Sequence, residues 1–343
     1  MVKFGLMVSS ARIEQMERHA VLAERSGFDS LWVADHLVYL DYEDLCPEAW
    51  CVLSALAGVT RRDTLGTSVT DPYRRHPAVL AQTVATLDQI SGGRAILGLG
   101  AGEAMNVDPF GIARDRRISR MKETIEILRK LWTREIIDYE GTIFNLSGAF
   151  IQVPPLQKPY PPIYVAANSP TTRKLVGLYG DGWLAEMMSP ERYNADIKEV
   201  EFAAGNAGRK MEDIDVTYAV NTAVSEDYDE ARRNALFHAK QKFLWWPKQI
   251  QQYGYSITDE FDWSFLKVKR DTAKKLEEHV PEVPDKPCEE ISIFGTPEDC
   301  IDKIERYIRS GVTHFMFYIH SPYEETCRLM QTKIIPYFKE TEK

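Results

Sequence analysis

Apolar positions along the chain follow two spacings, and stretches of the two alternate. From residue 13 to residue 26 the apolar residues Ile13, Met16, Ala20 and Ala23 fall three or four apart, which lines one face of an α-helix, and Gly27 then ends the run. FDSLWVAD follows, a short apolar and aromatic stretch without that period. The unit recurs: 78–90 before SGGRAILGLG, 170–179 before GDGWLAE, and 296–310 before GVTHFMFYI. Glycine suits the end of each helix because it takes the left-handed backbone conformation without a β-carbon clash. In the last unit Thr296 suits the N-cap and Pro297 the first helical position.

Strands separated by helices specify βα units and a parallel sheet. Eight candidate strands lie near residues 3–8, 29–34, 64–69, 94–100, 163–167, 182–186, 215–221 and 314–319. LWVA, AILGLG, IYVAA and FMFYI are apolar on both faces, as buried parallel strands are. Eight such units favour a closed (β/α)8 TIM barrel over an open doubly wound sheet, with all 343 residues in one domain. Two segments break the rhythm. DYEGTIFNLSGAFIQ, residues 138–152, alternates and predicts a β-hairpin turning at 146–148. Residues 243–287 form a long insertion after strand seven and its helix, with WWP, then YGYSITDEFDWSFL, then a charged helix near 273–278. Its clustered aromatics suit a lid over the barrel mouth or a subunit interface, which use the same residue types.

Composition narrows the partners. Hydrophobic residues make up 44% and charged residues 27%, an ordinary globular balance, and the formal net charge of -9 gives no general attraction to nucleic acid or to an anionic membrane surface. No apolar run approaches the ~20 residues that cross a bilayer, and the N-terminus does not read as a signal peptide. The five cysteines, Cys46, Cys51, Cys288, Cys300 and Cys327, form no close pair and have no histidine partner in sequence. Free thiols in the cytoplasm, and no metal site, are the expectation.

In such barrels the chemistry sits on loops at the carboxyl ends of the strands. The residues there are Asp35-His36 after strand two, 67–71 after strand three, Gly100-Ala101-Gly102-Glu103 after strand four, and Ala166-Ala167-Asn168-Ser169 after strand five. Glu186, Asn221 and His320 end the last three. His36 is the acid–base candidate, since imidazole exchanges a proton near neutrality. The run GLGAGEAMN lets a flat ring or a phosphate approach the backbone, but it lacks the βαβ context and the later acidic residue of a dinucleotide fingerprint. Glu103 within it is placed to hydrogen-bond a cofactor ring. Ser169-Pro170 starts a helix, where the serine either caps the helix or joins its free N–H groups in holding a phosphate. Arg74-Arg75-His76 reads as a solvated turn, with an anion contact as the alternative.

The order of these motifs resembles the luciferase-like oxidoreductases. FDSLWVADH, LGTSVTDPYRRHPAVLAQTVATLDQISGGRAILGLGAGEAMN, PPIYVAANSP and GDGWLAE carry the likeness over nearly the whole chain. The nearest branch is the one that uses the deazaflavin F420: methylenetetrahydromethanopterin reductases, F420-dependent alcohol and glucose-6-phosphate dehydrogenases, and phthiodiolone ketoreductases. The resemblance implies hydride transfer between the deazaflavin and a carbonyl, alcohol or methylene-pterin-type substrate, and a homodimer or higher homo-oligomer. His36, Glu103 and Asp35 would be catalytic. Asp35, Ser68, Val69, Thr70, Ala101, Gly102, Glu103, Asn106, Ala167, Asn168 and Ser169 would bind the cofactor, with Ser68-Val69 at a strand-three bulge that often holds a non-proline cis peptide. Leu40 stands near a tryptophan of the sugar-phosphate dehydrogenases, and LAEMMSPERY and CEEISIFG lack their basic residues, so glucose 6-phosphate is not the expected substrate. An FMN-dependent monooxygenase of the same superfamily and a non-catalytic flavin-binding protein are the alternatives.

Overall fold

The computed structural model describes residues 2–8, 11–40 and 44–340. Its barrel strands are β1 (Lys3–Met7), β2 (Ser30–Val33), β3 (Thr64–Thr67), β4 (Ala95–Leu99), β5 (Ile163–Ala166), β6 (Gly182–Glu186), β7 (Asp215–Val224) and β8 (His314–Ile319). Each pairs in parallel with the next, and β8 pairs with β1, so the sheet closes into a (β/α)8 barrel. A short strand, Ile293–Gly295, pairs with Thr222–Val224 at the far end of β7, beyond the residues that pair with β6. The helices end where the glycines predict: helix Ile13–Ser26 at Gly27 and helix Pro77–Ser91 at Gly92, both left-handed. Helix Pro297–Arg309 starts from Thr296 with a reciprocal cap to Asp299.

Large side chains facing glycines fill the barrel interior. Met7, Trp32, Ile96, Tyr164, Leu184, Ala219 and Met316 pack there together. A β-carbon at Gly66 would lie 2.4 Å from the Trp32 ring, and one at Gly182 would lie 2.4 Å from the Tyr164 ring. Barrel closure therefore rests on where the bulk is placed along each strand as much as on the hydrophobic content.

The amino end of the barrel is closed by a buried polar network. Asp215 Oδ2 accepts from Tyr164 Oη at 2.6 Å and Lys3 Nζ at 2.9 Å, and pairs with His314 Nδ1 at 3.1 Å. His314 Nε2 lies 2.7 Å from Ser30 Oγ, which also accepts from Trp32 Nε1 at 2.8 Å. The serine, histidine and aspartate are arranged like a hydrolytic triad. However, Ser30 and His314 are buried and lie at the end of the barrel that carries stability rather than chemistry. Burial alone would raise the Asp215 carboxyl, but the hydrogen bonds and charges of His314 and Lys3 outweigh it and hold it well below the usual carboxylate range.

The hairpin forms from strands Ile137–Glu140 and Asn145–Ala149, but it turns at 141–144 and not at 146–148. The cause lies outside the segment. The Glu123 carboxylate accepts from the Thr142 N–H and hydroxyl at 2.8 and 2.6 Å, and from the N–H groups of Ile143 and Phe144 at 3.0 Å each. The insertion begins later than its aromatics suggest, because helix Tyr228–Trp245 runs through residue 243. Short helices follow, including Pro247–Ile250, Thr272–His279 and Asp285–Ile291. Phe243, Trp245, Ile250, Phe261, Trp263, Leu266 and Leu276 form their own apolar core, which takes in Leu40, Met105 and Met187 from the loops after β2, β4 and β6. The insertion is thereby seated on the carboxyl end of the barrel.

The Asp215 network carries a pH signature. Because the fold depresses this carboxyl, its ionised form stabilises the native state above the ordinary value of 3.8, and that contribution is lost as pH falls below it. Asp215→Asn should cost about 3 kcal/mol at pH 7 and flatten the acid limb. Urea unfolding at pH 7 and pH 3 should show the wild-type protein losing more stability over that drop than the variant. Equal losses would remove Asp215 from the account.

Candidate active site

A cavity of about 1130 Å³ opens at the carboxyl ends of the strands. It is lined by Asp35, His36, Ser68, Val69, Ala101, Gly102, Glu103, Asn106, Ala167, Asn168 and Ser169, all expected at the site from the sequence. Thr70 is not on the lining: it is fully buried, and its hydroxyl donates to the Asp35 carboxylate.

The shelf on one side comes from β3 and β4. The Ser68–Val69 peptide is cis. Beyond it the two strand ends stay bonded, with Thr70 N–H donating to Gly98 O at 2.9 Å and Gly100 N–H donating to Thr70 O at 2.8 Å. This approach requires glycine. A β-carbon at Gly98 would lie 1.8 Å from the Thr67 carbonyl oxygen, and one at Gly100 would lie 2.3 Å from Val69 Cγ2. Gly102 has a positive φ of 75°.

Asp35 acts as an anchor. Besides Thr70, its carboxylate pairs with Arg75 Nη1 at 2.7 Å and Arg74 Nη2 at 3.2 Å. Arg74 also binds Asp71 and the Asp35 carbonyl, and Arg75 also binds Glu48. With side chains 8% and 17% exposed, these arginines do not form the solvated turn that RRH suggests in sequence. The anion they meet is the protein's own, thirty-nine or forty residues earlier in the chain.

His36 turns instead to Glu103, with Nε2 and Oε2 3.2 Å apart. Asn106 holds this pair in place: its amide donates to Glu103 Oε2 at 3.1 Å, and its oxygen accepts from the N–H groups of Leu37 and Val38 at 2.7 and 3.1 Å. Burial raises the Glu103 carboxyl above its ordinary value, though His36 and Asn106 oppose the shift. A carboxyl that keeps its proton above the usual range, beside an imidazole, can pass that proton on. His36 Nδ1 is buried with no partner among the described residues.

Helix Tyr228–Trp245 supplies a second polar wall. Lys242 Nζ lies 3.0 Å from Glu186 Oε2 and 3.6 Å from the centre of the Tyr318 ring. His238 stacks on His320 at 3.7 Å, and His320 Nε2 lies 3.1 Å from Asn221 Oδ1. Burial, reinforced by His238 and Lys242, holds the His320 imidazole well below its usual value. Glu186, Asn221 and His320 were legible as strand ends, whereas His238 and Lys242 were not. Their one signal is a polar pair four apart on a helix face that also carries the buried Ala239 and Phe243.

At the far side Ser169 caps helix Pro170–Tyr179: its hydroxyl accepts from Thr172 N–H at 3.3 Å, and Thr172 Oγ1 accepts from Ser169 N–H at 3.1 Å. The cap and the cavity lining coincide, since Ser169, Thr171 and Thr172 all face the cavity.

Known proteins share this architecture. The 5,10-methylenetetrahydromethanopterin reductase of Archaeoglobus fulgidus is 30% identical, over 98% of this chain and 100% of that protein. The F420-dependent glucose-6-phosphate dehydrogenase of Microbacterium testaceum is 30% identical, over 98% and 97%. A solved F420-dependent secondary alcohol dehydrogenase, in complex with an F420-acetone adduct, superimposes with a TM-score of 0.83 at 27% identity, covering 97% of this chain and 98% of that one. The family model for luciferase-like monooxygenases matches residues 2–314, and the chain belongs to that family.

Proposed function

We propose that this protein is an F420-dependent oxidoreductase that transfers a hydride between the deazaflavin and an apolar carbonyl or alcohol carbon, or a methylene-pterin-type carbon, with His36 and Glu103 handling the proton. The observation that carries the reading is the His36–Glu103–Asn106 chain on the wall of a cavity that also holds the Ser68–Val69 shelf. The residues fit the cofactor. Glycines at 98 and 100 clear the backbone beside the shelf, and His36 Nδ1, which has no partner among the described residues, could take one from a bound molecule. Bound deazaflavin supplies the hydride. Ser68, Val69, Ala101, Gly102 and Asn106 would flank its ring, and Ala167, Asn168 and Ser169 would face its phosphate arm, where Thr171, in the first turn of helix Pro170–Tyr179, borders the cavity and would offer its N–H and hydroxyl. Asp35 and Thr70 serve from behind, fixing the loop that presents His36.

The aromatic lining favours an apolar substrate. Of the cations on the cavity wall, Lys242 is paired with Glu186, and Arg117 is exposed. Tyr39, Trp245, Trp246 and Trp263 line the cavity near His36. Such aromatic surface suits an apolar ketone or alcohol better than a sugar phosphate. The insertion, which starts at the end of helix Tyr228–Trp245 with Trp245 and Trp246 at its base, acts as the substrate lid. A monooxygenase is the rival that the family's own description carries, with FMN as the cofactor it would use. Titration with each cofactor decides between them: tight F420 binding and turnover without oxygen uptake is expected, and tight FMN binding with oxygen uptake would replace the reading.

The protein works in the cytoplasm as a homodimer. Its five cysteines are unpaired, and no described helix is long and apolar enough to cross a membrane. Helix Ala49–Val59 has no charged residue, and helix Pro77–Ser91 has only the buried Asp88, so their outer face, with Val59, Val79 and Ile90 exposed, is an uncharged surface on a chain of net charge -9. Two copies meet there with least repulsion.

Three outcomes follow from these assignments. His36→Ala should lower turnover by roughly 10²–10⁴-fold with little change in F420 affinity; wild-type turnover would refute its role. Glu103 is needed protonated for carbonyl reduction, so activity should decline as pH rises through its raised value, and Glu103→Gln should lose that alkaline limb. Sedimentation and steady-state kinetics on two double variants separate lid from interface. Trp245→Ala with Trp246→Ala should keep its mass and lose efficiency on bulky substrates, whereas Val79→Glu with Ile90→Glu should dissociate. The reverse pattern would exchange the two assignments.

A further inference from the structure

Trp263 joins the insertion to the acid–base pair. Its ring meets His36 edge-on, with centroids 5.9 Å apart at 70°, and stacks on Trp245 at 5.2 Å. Its backbone is tied as well. Its carbonyl accepts from the N–H of Ala104, the residue after Glu103, at 3.3 Å, and its own N–H donates to Trp245 O at 3.0 Å. Its neighbours hold the turn: Asp262 Oδ1 accepts from Ser264 N–H at 2.7 Å, and Ser264 O accepts from Arg114. A single residue of the insertion therefore touches the ring of His36 and the backbone beside Glu103.

His36 needs such support. Its side chain has one polar partner, Glu103 through Nε2, while Nδ1 has none among the described residues. One hydrogen bond leaves an imidazole free to tilt about its side-chain torsions, so the rings packed on it, Tyr39 at 5.6 Å and Trp263, set its angle. Asp35, the neighbour that would otherwise orient it, is occupied by Thr70, Arg74 and Arg75.

We propose that Trp263 is a positioning residue for His36, so that seating of the insertion aligns the His36–Glu103 pair for proton transfer as well as covering the substrate. The inference rests on the acid–base reading given above. It makes the aromatic face the working part of Trp263, because its indole N–H has no partner among the described residues. An aromatic replacement should therefore serve, and an aliphatic one should not.

The test is a double-mutant cycle read by kcat and KM separately, with F420 affinity and thermal melting measured on the same preparations. Trp263→Leu should lower kcat by about tenfold or more, the scale of a slight misplacement of a reacting group. Trp263→Phe should restore most of it, and F420 affinity should hold throughout. Combined with His36→Ala, Trp263→Leu should lower kcat no further, because a positioning residue has nothing left to position. If the two losses multiply in full, or if Trp263→Leu raises KM alone, Trp263 is only a wall of the substrate site and the proposal falls. If His36→Ala turns over like wild type, the acid–base reading itself falls, whatever Trp263→Leu does. Should the leucine variant fail to fold, Trp263→Met, apolar and without an aromatic face, takes its place in the cycle with the same expectations.

Discussion

The active end of this barrel depends on one buried carboxylate. Asp35 has left water, and a lone charge in that position would be strongly unfavourable. Two arginines and a threonine hydroxyl compensate it, and all three belong to the loop after β3. The ends of β2 and β3 are therefore locked to each other, and Arg75 extends the lock to Glu48 at the start of helix Ala49–Val59. His36 and the Val69 shelf project from the two sides of this lock. Moving either would break a fully engaged ion cluster, so a catalytic group and a ring support come from irregular loops yet stand on a stiff base.

The two ends of the barrel use similar chemistry for opposite purposes. At the amino end Ser30, His314, Asp215, Tyr164 and Lys3 satisfy one another, leaving the histidine between a serine and an aspartate with no access to a ligand. At the carboxyl end His36 keeps one ring nitrogen, beside a cavity, without a partner among the described residues. Residue type does not separate them; the completeness of each hydrogen-bond set does.

Much of this was legible in the chain. Strand positions follow from short apolar runs closed by helix-ending glycines, and the strand ends then name Asp35, His36, Glu103 and Asn168 without any knowledge of contacts. What was not legible depends on partners distant in sequence. The hairpin turn is set by Glu123 rather than by the small residues near 146–148. Arg74 and Arg75 look like surface charges until Asp35 is placed beside them. Lys242 and His238 show in sequence only as a polar pair four apart on an otherwise apolar helix face, which does not say that the face looks into the cavity. Local periodicity reports an element and its buried side; it carries no information about which buried charge awaits a given arginine or lysine.

The apolar core under the insertion is borrowed in part from the barrel: Leu40, Met105 and Met187 come from loops after β2, β4 and β6. Those loops converge only once the barrel has closed, so the seat of the insertion is complete only on the closed scaffold. Closing loops that span so much of the chain is entropically slow. The insertion is thus docked by contacts that exist only in the closed barrel. Transplanted alone onto another barrel, it would arrive without the three side chains that tie its core to the loops.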